Sequence, residues 1–304
     1  DTLLRHADQA MYQAKMTGRN KSRLFNPELN QQVIQKHHVV QRLREALLND
    51  EFVLHYQPEI NMRTGEIIAV EALIRWQHPQ RGLLFPGDFL TDMEGSELEF
   101  ELGLWVIDSA LQQLQYWQQG GLDIVVSVNI AANHLHAKNF IQSLQQILNR
   151  YHDIRPASLQ LEILESSALG DVTTLSRIID DCRERVGVLI ALDDFGTGYS
   201  SLTHLRHLAA NSVKIDQSFV RDMLEDASDY NIVDGVISLA KAFNRQVIAE
   251  GVETVEHGLM LLSMGCDHAQ GYQIARPMPA QHIMNWCQAY HLQPEWREFH
   301  DNNV

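Results

Sequence analysis

The sequence predicts an α/β fold that closes into a (β/α)₈ barrel of the TIM type. Three observations predict it: eight short apolar runs rich in β-forming residues, helical stretches between them, and an alternation that continues over roughly 240 residues from Phe52 onward. Strands alternating with helices favour a parallel sheet, and eight of them favour closure. An open doubly wound sheet is the alternative that this pattern leaves.

Two helices are predicted ahead of the barrel. Apolar residues recur at helical spacing through residues 2–17, and a short strand is expected at 22–25. One helix and one strand cannot bury a core, so this piece is interpreted as a helix-strand remnant of another unit. Asn26 and Pro27 then form a cap followed by proline at the first helical position, which predicts a connecting helix to about Leu48.

The barrel elements follow in order along the chain. Strands are predicted at residues 53–56, 67–76, 124–128, 159–163, 186–192, 212–215 and 246–249, with a weaker one near 268–274. Helices are predicted between them at residues 102–118, 139–150, 172–184, 229–243 and 255–264.

Composition limits the function classes. The 45% hydrophobic content of a 304-residue chain is enough for a sizeable core. A net charge of −15 argues against DNA or RNA binding, which normally requires a basic surface. Any phosphate ligand is therefore expected to be held locally, through metal ions.

The setting is expected to be cytoplasmic. Three scattered cysteines without a CxxC spacing suggest neither disulfides nor a zinc knuckle, and no apolar run approaches the roughly 20 residues that span a bilayer. Because Asp1 is not a methionine and a helical pattern is already under way there, a longer protein is expected. Its upstream part would include a sensor, which leaves open a membrane-anchored protein with this part in the cytosol.

Polar residues stand at the ends of seven of the apolar runs. Because the carboxyl ends of barrel strands meet on one face, these residues are expected to surround one mouth. They are Glu71, Asn129, Glu162, Asp193, Asp194, Lys214, Glu250 and Gln270. A single acid at a strand end is usually just solvated, but seven similar ends are difficult to ascribe to chance.

Five carboxylates around one mouth need compensation. Two carboxylates about 4 Å apart repel by roughly 4 kcal/mol at an effective dielectric constant of 20, so either some are protonated or cations lie between them. Oxygen ligands favour Mg²⁺ or Mn²⁺ over zinc. Two such ions activate water for attack on a phosphodiester, and the adjacent Asp193 and Asp194 are suited to bridging them. Gly196 and Gly198 predict a mobile loop immediately afterwards.

Histidines offer a weaker alternative for metal binding. His134, His136, His204 and His207 are interpreted as exposed helix or loop residues rather than ligands.

A series of motifs resembles the EAL family of cyclic di-GMP phosphodiesterases. They are EALIRWQHP at 71–79, YQP at 56–58, SVN at 127–129, LEILE at 161–165, LDDFGTGYSSL at 192–202, VKIDQSFV at 213–220, AEGVET at 249–254 and QGYQIARPMP at 270–279. The resemblance covers about residues 43–290. It implies a modified (β/α)₈ barrel, often dimeric, that cleaves cyclic di-GMP to linear pGpG with two Mg²⁺ or Mn²⁺ ions.

The resemblance also implies roles for individual residues. The metal ligands would be Glu71, Asn129, Glu162, Asp193 and Asp194, with Glu250 supporting the ions directly or through water. Lys214 would hold the attacking water, and Gln270 would complete the catalytic set with Glu71 and Glu250. Arg75 would bind a phosphate, Gln57 a guanine, and Leu73 and Asp216 other parts of the substrate. Glu165 and Glu253 would anchor the loop at 196–201.

Residues 7–25 resemble the C-terminal end of a GGDEF domain, whose catalytic stretch is absent. The predicted organisation is therefore a GGDEF remnant (1–26), a connecting helix (27–42), an EAL barrel (43–293) and a tail (294–304). A homodimer and upstream GGDEF and sensor domains are the expected partners.

One segment departs from the family pattern. Glu97, Leu98 and Glu99 stand where relatives commonly have Gly-Leu-Ile. No acid at a strand end is missing, which favours an active enzyme over a catalytically silent cyclic di-GMP receptor. A different metal-dependent barrel enzyme fits the acids alone but not the whole motif series.

Overall fold

Ten strands form one sheet in the computed structural model, which describes residue 11 and residues 27–168, 172–197 and 205–302. Eight of them close into a barrel, because the first strand pairs with both the second and the ninth. The strands are β1 (Phe52–Asn61), β2 (Ile67–His78), β3 (Gly82–Leu84), β4 (Val125–Ile130), β5 (Leu159–Leu164), β6 (Leu189–Phe195), β7 (Ser212–Ile215), β8 (Gln246–Ala249), β9 (His268–Ala269) and β10 (Met278–Pro279). The predicted (β/α)₈ barrel is confirmed.

Helices surround this barrel. They are α1 (Pro27–Leu48), α2 (Glu97–Gln119), α3 (Ala132–Leu135), α4 (Phe140–Leu148), α5 (Val172–Asp180), α6 (Gln217–Asp222), α7 (Ala227–Ala242), α8 (Val255–Met264), α9 (Ala280–Ala289) and α10 (Pro294–Asn302). In none of the helices among the described residues do length and apolar character suffice for crossing a bilayer. The N-terminal remnant predicted over residues 1–26 lies outside the described residues, apart from Met11.

Within the barrel, the first strand runs against the other seven. β1 is antiparallel to both β2 and β9, whereas the successive pairs from β2 to β4 and on to β9 are parallel. The short strand β3 lies outside the barrel and pairs antiparallel with β2. The cause is local: a short turn joins β1 to β2, and such a turn can connect only antiparallel strands. Asn61 stabilises this turn by accepting the backbone N–H groups of Arg63 and Thr64.

Several strand predictions differ from the structure in their bounds. The first strand, predicted at 53–56, extends over Phe52–Asn61. The run predicted at 186–192 begins as strand only at Leu189, because Asp181–Val186 continue the preceding helix as a π-helical turn. The weak run predicted at 268–274 forms only the two-residue strand β9. In the run at 186–192, apolar residues continue from the end of the helix into the strand, so periodicity alone does not show where the strand begins.

Helix α2 provides much of the packing outside the barrel. Its buried residues recur three or four positions apart, as expected for one face of a helix. Trp117 at the end of this face is fully buried and contacts the ring of Tyr56 edge-on, with centroids 4.8 Å apart. Burial of such a large side chain contributes about 2–3 kcal/mol.

The first and last helices of the described residues also contribute buried side chains to the core. The connecting helix α1 buries Leu43 and Ala46 completely. Helix α10, in the segment assigned as a tail, buries Trp296, whose Nε1 donates to the carbonyl of Val255 at 2.9 Å. This helix is not among the predicted elements, and it shows that residues 294–302 belong to the folded unit.

The interpretation of His134 as an exposed residue is wrong. It is 1% exposed and lies edge-on to Phe100 and Phe140, with ring centroids 4.7 and 5.0 Å away. Its Nε2 is buried and has no hydrogen-bond partner among the described residues. A side chain at Gly103 would collide with the imidazole, so this glycine makes room for the ring. Burial lowers the pKa of His134 to about 4.

His134 is therefore expected to make stability depend on pH. Its folded-state pKa lies below the ordinary value, so the unfolded chain binds the proton more readily, and stability is lost as pH falls from about 6.5 towards 4. The loss is on the order of 3 kcal/mol. A His134→Leu variant should lose less stability than the wild type over this range in urea unfolding. The exposed His152→Leu is the matched control, and identical pH profiles for wild type and His134→Leu would contradict the assignment.

Candidate active site

Acidic side chains in or just after four strands meet around one buried lysine. Lys214, on β7, is fully buried, and its Nζ lies 2.6 Å from Glu250 Oε1, 3.0 Å from Glu162 Oε2 and 3.3 Å from Glu71 Oε2. Asp193 Oδ1 is 4.0 Å away. The strand-end residues thus converge as the sequence predicts, with the ammonium group at the centre of the carboxylates.

Glu71 is held by side chains from three other strand ends. Asn129 Nδ2 donates to its Oε1 at 2.7 Å, and Gln270 Nε2 donates to its Oε2 at 2.8 Å. Gln270 also donates to Gln57 Oε1 at 3.1 Å. These contacts, together with Lys214, fix the carboxylate of Glu71 in one orientation.

The backbone at Asp194 brings two consecutive acids to the mouth. Side chains alternate between the faces of a regular strand, so Asp193 and Asp194 would otherwise point apart. Asp194 instead has a left-handed φ of 52°, and the pairing of β6 with β7 shifts register between Leu192 and Phe195. This conformation is unfavourable for a residue other than glycine, and aspartate tolerates it better than most.

A close backbone approach positions Gln270. A Cβ atom at Gly271 would collide with the backbone of Val252, whose N–H donates to the carbonyl of Gln270 at 3.1 Å. Only glycine fits at this position, which places Gln270 beside Glu71.

Burial among like charges shifts the acids away from their ordinary ionisation. Desolvation and the neighbouring acids raise the pKa of Asp194 to about 7 and that of Glu250 to about 8, against the attraction of Lys214. Desolvation likewise raises the pKa of Glu162 well above its usual value. Burial also acts on Glu71, but Lys214 and the hydrogen bonds from Gln270 and Asn129 outweigh it and lower its pKa. One lysine therefore does not neutralise the whole set.

A cavity of about 760 Å³ opens above these acids. Glu71, Leu73 and Arg75 alternate along β2 and all line it. The guanidinium of Arg75 lies 5.0 Å from the ring centroid of Phe85, and Gln57 reaches the cavity from β1. The predicted substrate contacts Gln57, Leu73 and Arg75 thus share one cavity with the acids.

Residues 40–277, most of the chain, match the EAL domain family.

The chain belongs to the EAL family.

Two curated relatives illustrate the similarity of this EAL domain to named proteins. MucR of Pseudomonas aeruginosa, named a bifunctional diguanylate cyclase/cyclic di-GMP phosphodiesterase, is 39% identical over 283 residues, covering 93% of this chain and 41% of MucR. PdeR of Escherichia coli, named a cyclic di-GMP phosphodiesterase, is 39% identical over 288 residues, covering 95% of this chain and 43% of PdeR. The chain thus spans about two fifths of the length of these relatives.

Solved EAL structures share the fold. The PaMucR phosphodiesterase in complex with c-di-GMP superposes with a TM-score of 0.77 at 39% identity, covering 81% of this chain and 99% of that one. The EAL domain of Mycobacterium smegmatis DcpA superposes with a TM-score of 0.66 at 36% identity, covering 78% and 95%.

The acids of the EAL domain fit a metal centre. Among the described residues, Asp193, Asp194 and Glu250 offer oxygen atoms that all lie within 4.8 Å of one another. Glu162 Oε1 is buried without a hydrogen-bond partner among the described residues. Carboxylate oxygens at this density, with raised pKa values, suit divalent cations that prefer oxygen ligands.

The remaining predicted residues are Asp216, a predicted substrate contact, and Glu165 and Glu253, the predicted loop anchors. Asp216 caps α6: its Oδ1 accepts the backbone N–H of Ser218 at 2.8 Å, and the cavity lining does not include it. Glu165 Oε2 accepts the N–H of Gly196 at 3.0 Å, at the start of the loop that it is predicted to anchor. Glu253 lines the cavity. Residues 198–201 of that loop lie outside the described residues.

One buried acid of this EAL domain was not predicted from the sequence. Glu59 lies on β1, is 1% exposed and has an unpartnered Oε1 among the described residues. Burial and the nearby Glu71 and Asp193 raise its pKa to about 7, against the attraction of Lys214. Its spacing of two from Gln57 was the available signal, because alternate residues of a strand face the same side.

Proposed function

We propose that this EAL domain hydrolyses cyclic di-GMP to linear pGpG with two Mg²⁺ or Mn²⁺ ions. The observation that carries the proposal is the convergence of acids from separate strand ends: Glu71, Glu162, Asp193 and Glu250 all lie within 4.0 Å of Lys214 Nζ. The names of MucR and PdeR support this choice of substrate.

The ring of oxygen donors would hold the ions. Glu71, Asn129, Glu162, Asp193 and Asp194 are the proposed ligands, with Glu250 supporting them directly or through water. When bound, the two ions supply an activated water and neutralise charge on the phosphate. Gln270 and Asn129 keep Glu71 oriented through hydrogen bonds of 2.8 and 2.7 Å.

The remaining side chains bind substrate and stabilise charge. Arg75, 5% exposed and with an unpartnered Nε among the described residues, would bind a phosphate oxygen, and Gln57 would contact a guanine. Leu73, which lines the same cavity, would complete the contacts, whereas Asp216 caps α6 outside the lining. The oxygen of water adds to phosphorus while the bond from phosphorus to the ribose O3′ breaks, and that oxygen takes up a proton. Lys214 would hold the attacking water and stabilise the charge on the phosphate.

The larger protein belongs to the same proposal. We assign residues 1–26 to a GGDEF remnant, 27–42 to the connecting helix, 43–293 to the barrel and 294–304 to the C-terminal segment. Upstream GGDEF and sensor domains, a homodimer and a cytoplasmic location complete it. Glu165 and Glu253 would anchor the loop beside Gly196, with the contact from Glu165 at 3.0 Å in support.

Incubation with cyclic di-GMP and Mg²⁺ or Mn²⁺ tests the proposed reaction. Chromatography is expected to show conversion to pGpG that stops when EDTA removes the ions. Tight binding of cyclic di-GMP by calorimetry without any turnover would contradict the proposal and favour a receptor.

A further inference from the structure

The acidic segment that departs from the family pattern forms part of the cavity wall. Glu99, in the first turn of α2, lines the cavity that also contains Glu71 and Arg75. Its neighbour Glu97, in the same turn, is exposed and does not line it. The two glutamates therefore differ in surroundings although they share a helix turn.

Glu99 is held in a fixed orientation. Its Oε2 accepts the backbone N–H of Gly95 at 2.8 Å and Asn133 Nδ2 at 3.1 Å. Its Oε1 accepts no hydrogen bond among the described residues. A carboxylate has about four acceptor positions, so roughly half of its capacity stays available to a ligand.

The cavity that Glu99 lines also has buried apolar side chains and a second unsatisfied group. Met93, Leu102 and Val106 line this cavity and are 2%, 4% and 8% exposed. His134, which also lines the cavity, is 1% exposed and its Nε2 has no partner among the described residues. An apolar wall that ends at an oriented acceptor suits a flat heterocycle with N–H donors on its edge.

We propose that Glu99 is a specificity-determining residue that recognises a guanine base of the cyclic dinucleotide. The N1–H and the 2-amino group of guanine are adjacent donors, and the carboxylate is an acceptor only, so the two match. Adenine presents an unprotonated N1 on the corresponding edge, which the carboxylate repels. Gln57, on β1, would contact the other base. This inference rests on the proposed function, because it names the part of the substrate that Glu99 contacts.

Kinetics with two cyclic dinucleotides test the assignment. In Glu99→Gln, KM for cyclic di-GMP is expected to rise about tenfold or more, because a hydrogen bond to a charged group is lost, while kcat changes less than about twofold. The preference for cyclic di-GMP over cyclic di-AMP should narrow, because glutamine offers both a donor and an acceptor. Asn133→Ala, which loosens Glu99, should raise KM for cyclic di-GMP by a smaller factor.

The matched control is Glu97→Gln, which makes the same charge change on the exposed side of the turn. It is expected to leave KM and the thermal midpoint unchanged, and the midpoint of Glu99→Gln should confirm that this variant is folded. The inference is overturned if Glu99→Gln has the KM of the wild type for cyclic di-GMP. It is also overturned if kcat/KM falls by the same factor for cyclic di-GMP and cyclic di-AMP. If the wild type cleaves no cyclic di-GMP, the proposed function fails separately, and calorimetric binding of cyclic di-GMP to wild type and Glu99→Gln still decides the role of Glu99.

Discussion

Replacing Glu71 by glutamine is expected to reduce turnover of cyclic di-GMP by about a thousandfold or more. The substitution keeps the shape of the side chain and removes its charge. Glu71 accepts hydrogen bonds from Asn129, Gln270 and Lys214 and is 6% exposed, so glutamine would occupy the same buried position without the negative charge. The measurement is kcat for formation of pGpG, with Mn²⁺ binding followed in parallel by calorimetry.

Glu66→Gln is the control for this variant. Glu66 is exposed and lies just before the same strand, so its loss of charge should leave kcat within about twofold of wild type. Retained turnover in Glu71→Gln would contradict the assignment of Glu71 as a ligand. Lost turnover with unchanged affinity for two Mn²⁺ ions would mean that Glu71 positions the substrate instead.

The convergence of the acids could be predicted from sequence because it follows from one rule. The carboxyl ends of parallel barrel strands share a face, so apolar runs that end in Glu162, Asp193 or Glu250 must bring these residues together. The rule needs no side-chain geometry. It needs only the positions of the strand ends, which an abrupt change from apolar to polar residues marks well.

What the sequence did not predict depends on local conformation. The bulge at Asp194 depends on a left-handed φ that neighbouring residues do not encode in any simple pattern. The burial of His134 depends on the space that Gly103 leaves on a helix far along the chain, and that is a tertiary contact. Glu59 lies inside the barrel because β1 has polar residues that face the interior. In most strands the polar residues face solvent and the apolar residues face the core, so this position was not expected.

The position of Lys214 explains how several acids can lie close together at the mouth of the barrel. Several buried carboxylates repel one another strongly, and the buried ammonium group of Lys214 among them offsets part of that repulsion. The acids surrounding it raise the pKa of Lys214 well above its usual value, against the effect of burial. The lysine is therefore positively charged at neutral pH, and it has a structural role in addition to the proposed catalytic one.

Replacing Lys214 by methionine is accordingly expected to have two separable effects. In EDTA, the variant should lose about 3–5 kcal/mol of unfolding free energy, because one partner of a buried set of ion pairs has been removed. Saturating Mn²⁺ should raise the unfolding free energy of Lys214→Met by more than it raises that of the wild type, because the ions replace the missing positive charge. Turnover with Mn²⁺ should remain about a hundredfold or more below wild type.

The loss of unfolding free energy of Lys214→Met in EDTA should also grow as pH rises. Asp194 and Glu250 have pKa values raised to about 7 and 8, so the folded state binds more protons than the unfolded state and loses stability as pH rises between about 4 and 8. Removing the lysine raises these pKa values further, so the deficit of Lys214→Met should be larger at pH 8 than at pH 6. Lys241→Met is the control, because Lys241 is exposed and its Nζ donates to the carbonyl of Met264 at 3.0 Å. If Lys214→Met has the unfolding free energy of the wild type in EDTA at both pH values, the lysine does not stabilise the cluster of acids. If the variant no longer binds Mn²⁺, Lys214 positions the metal ligands and does not act in the chemical step.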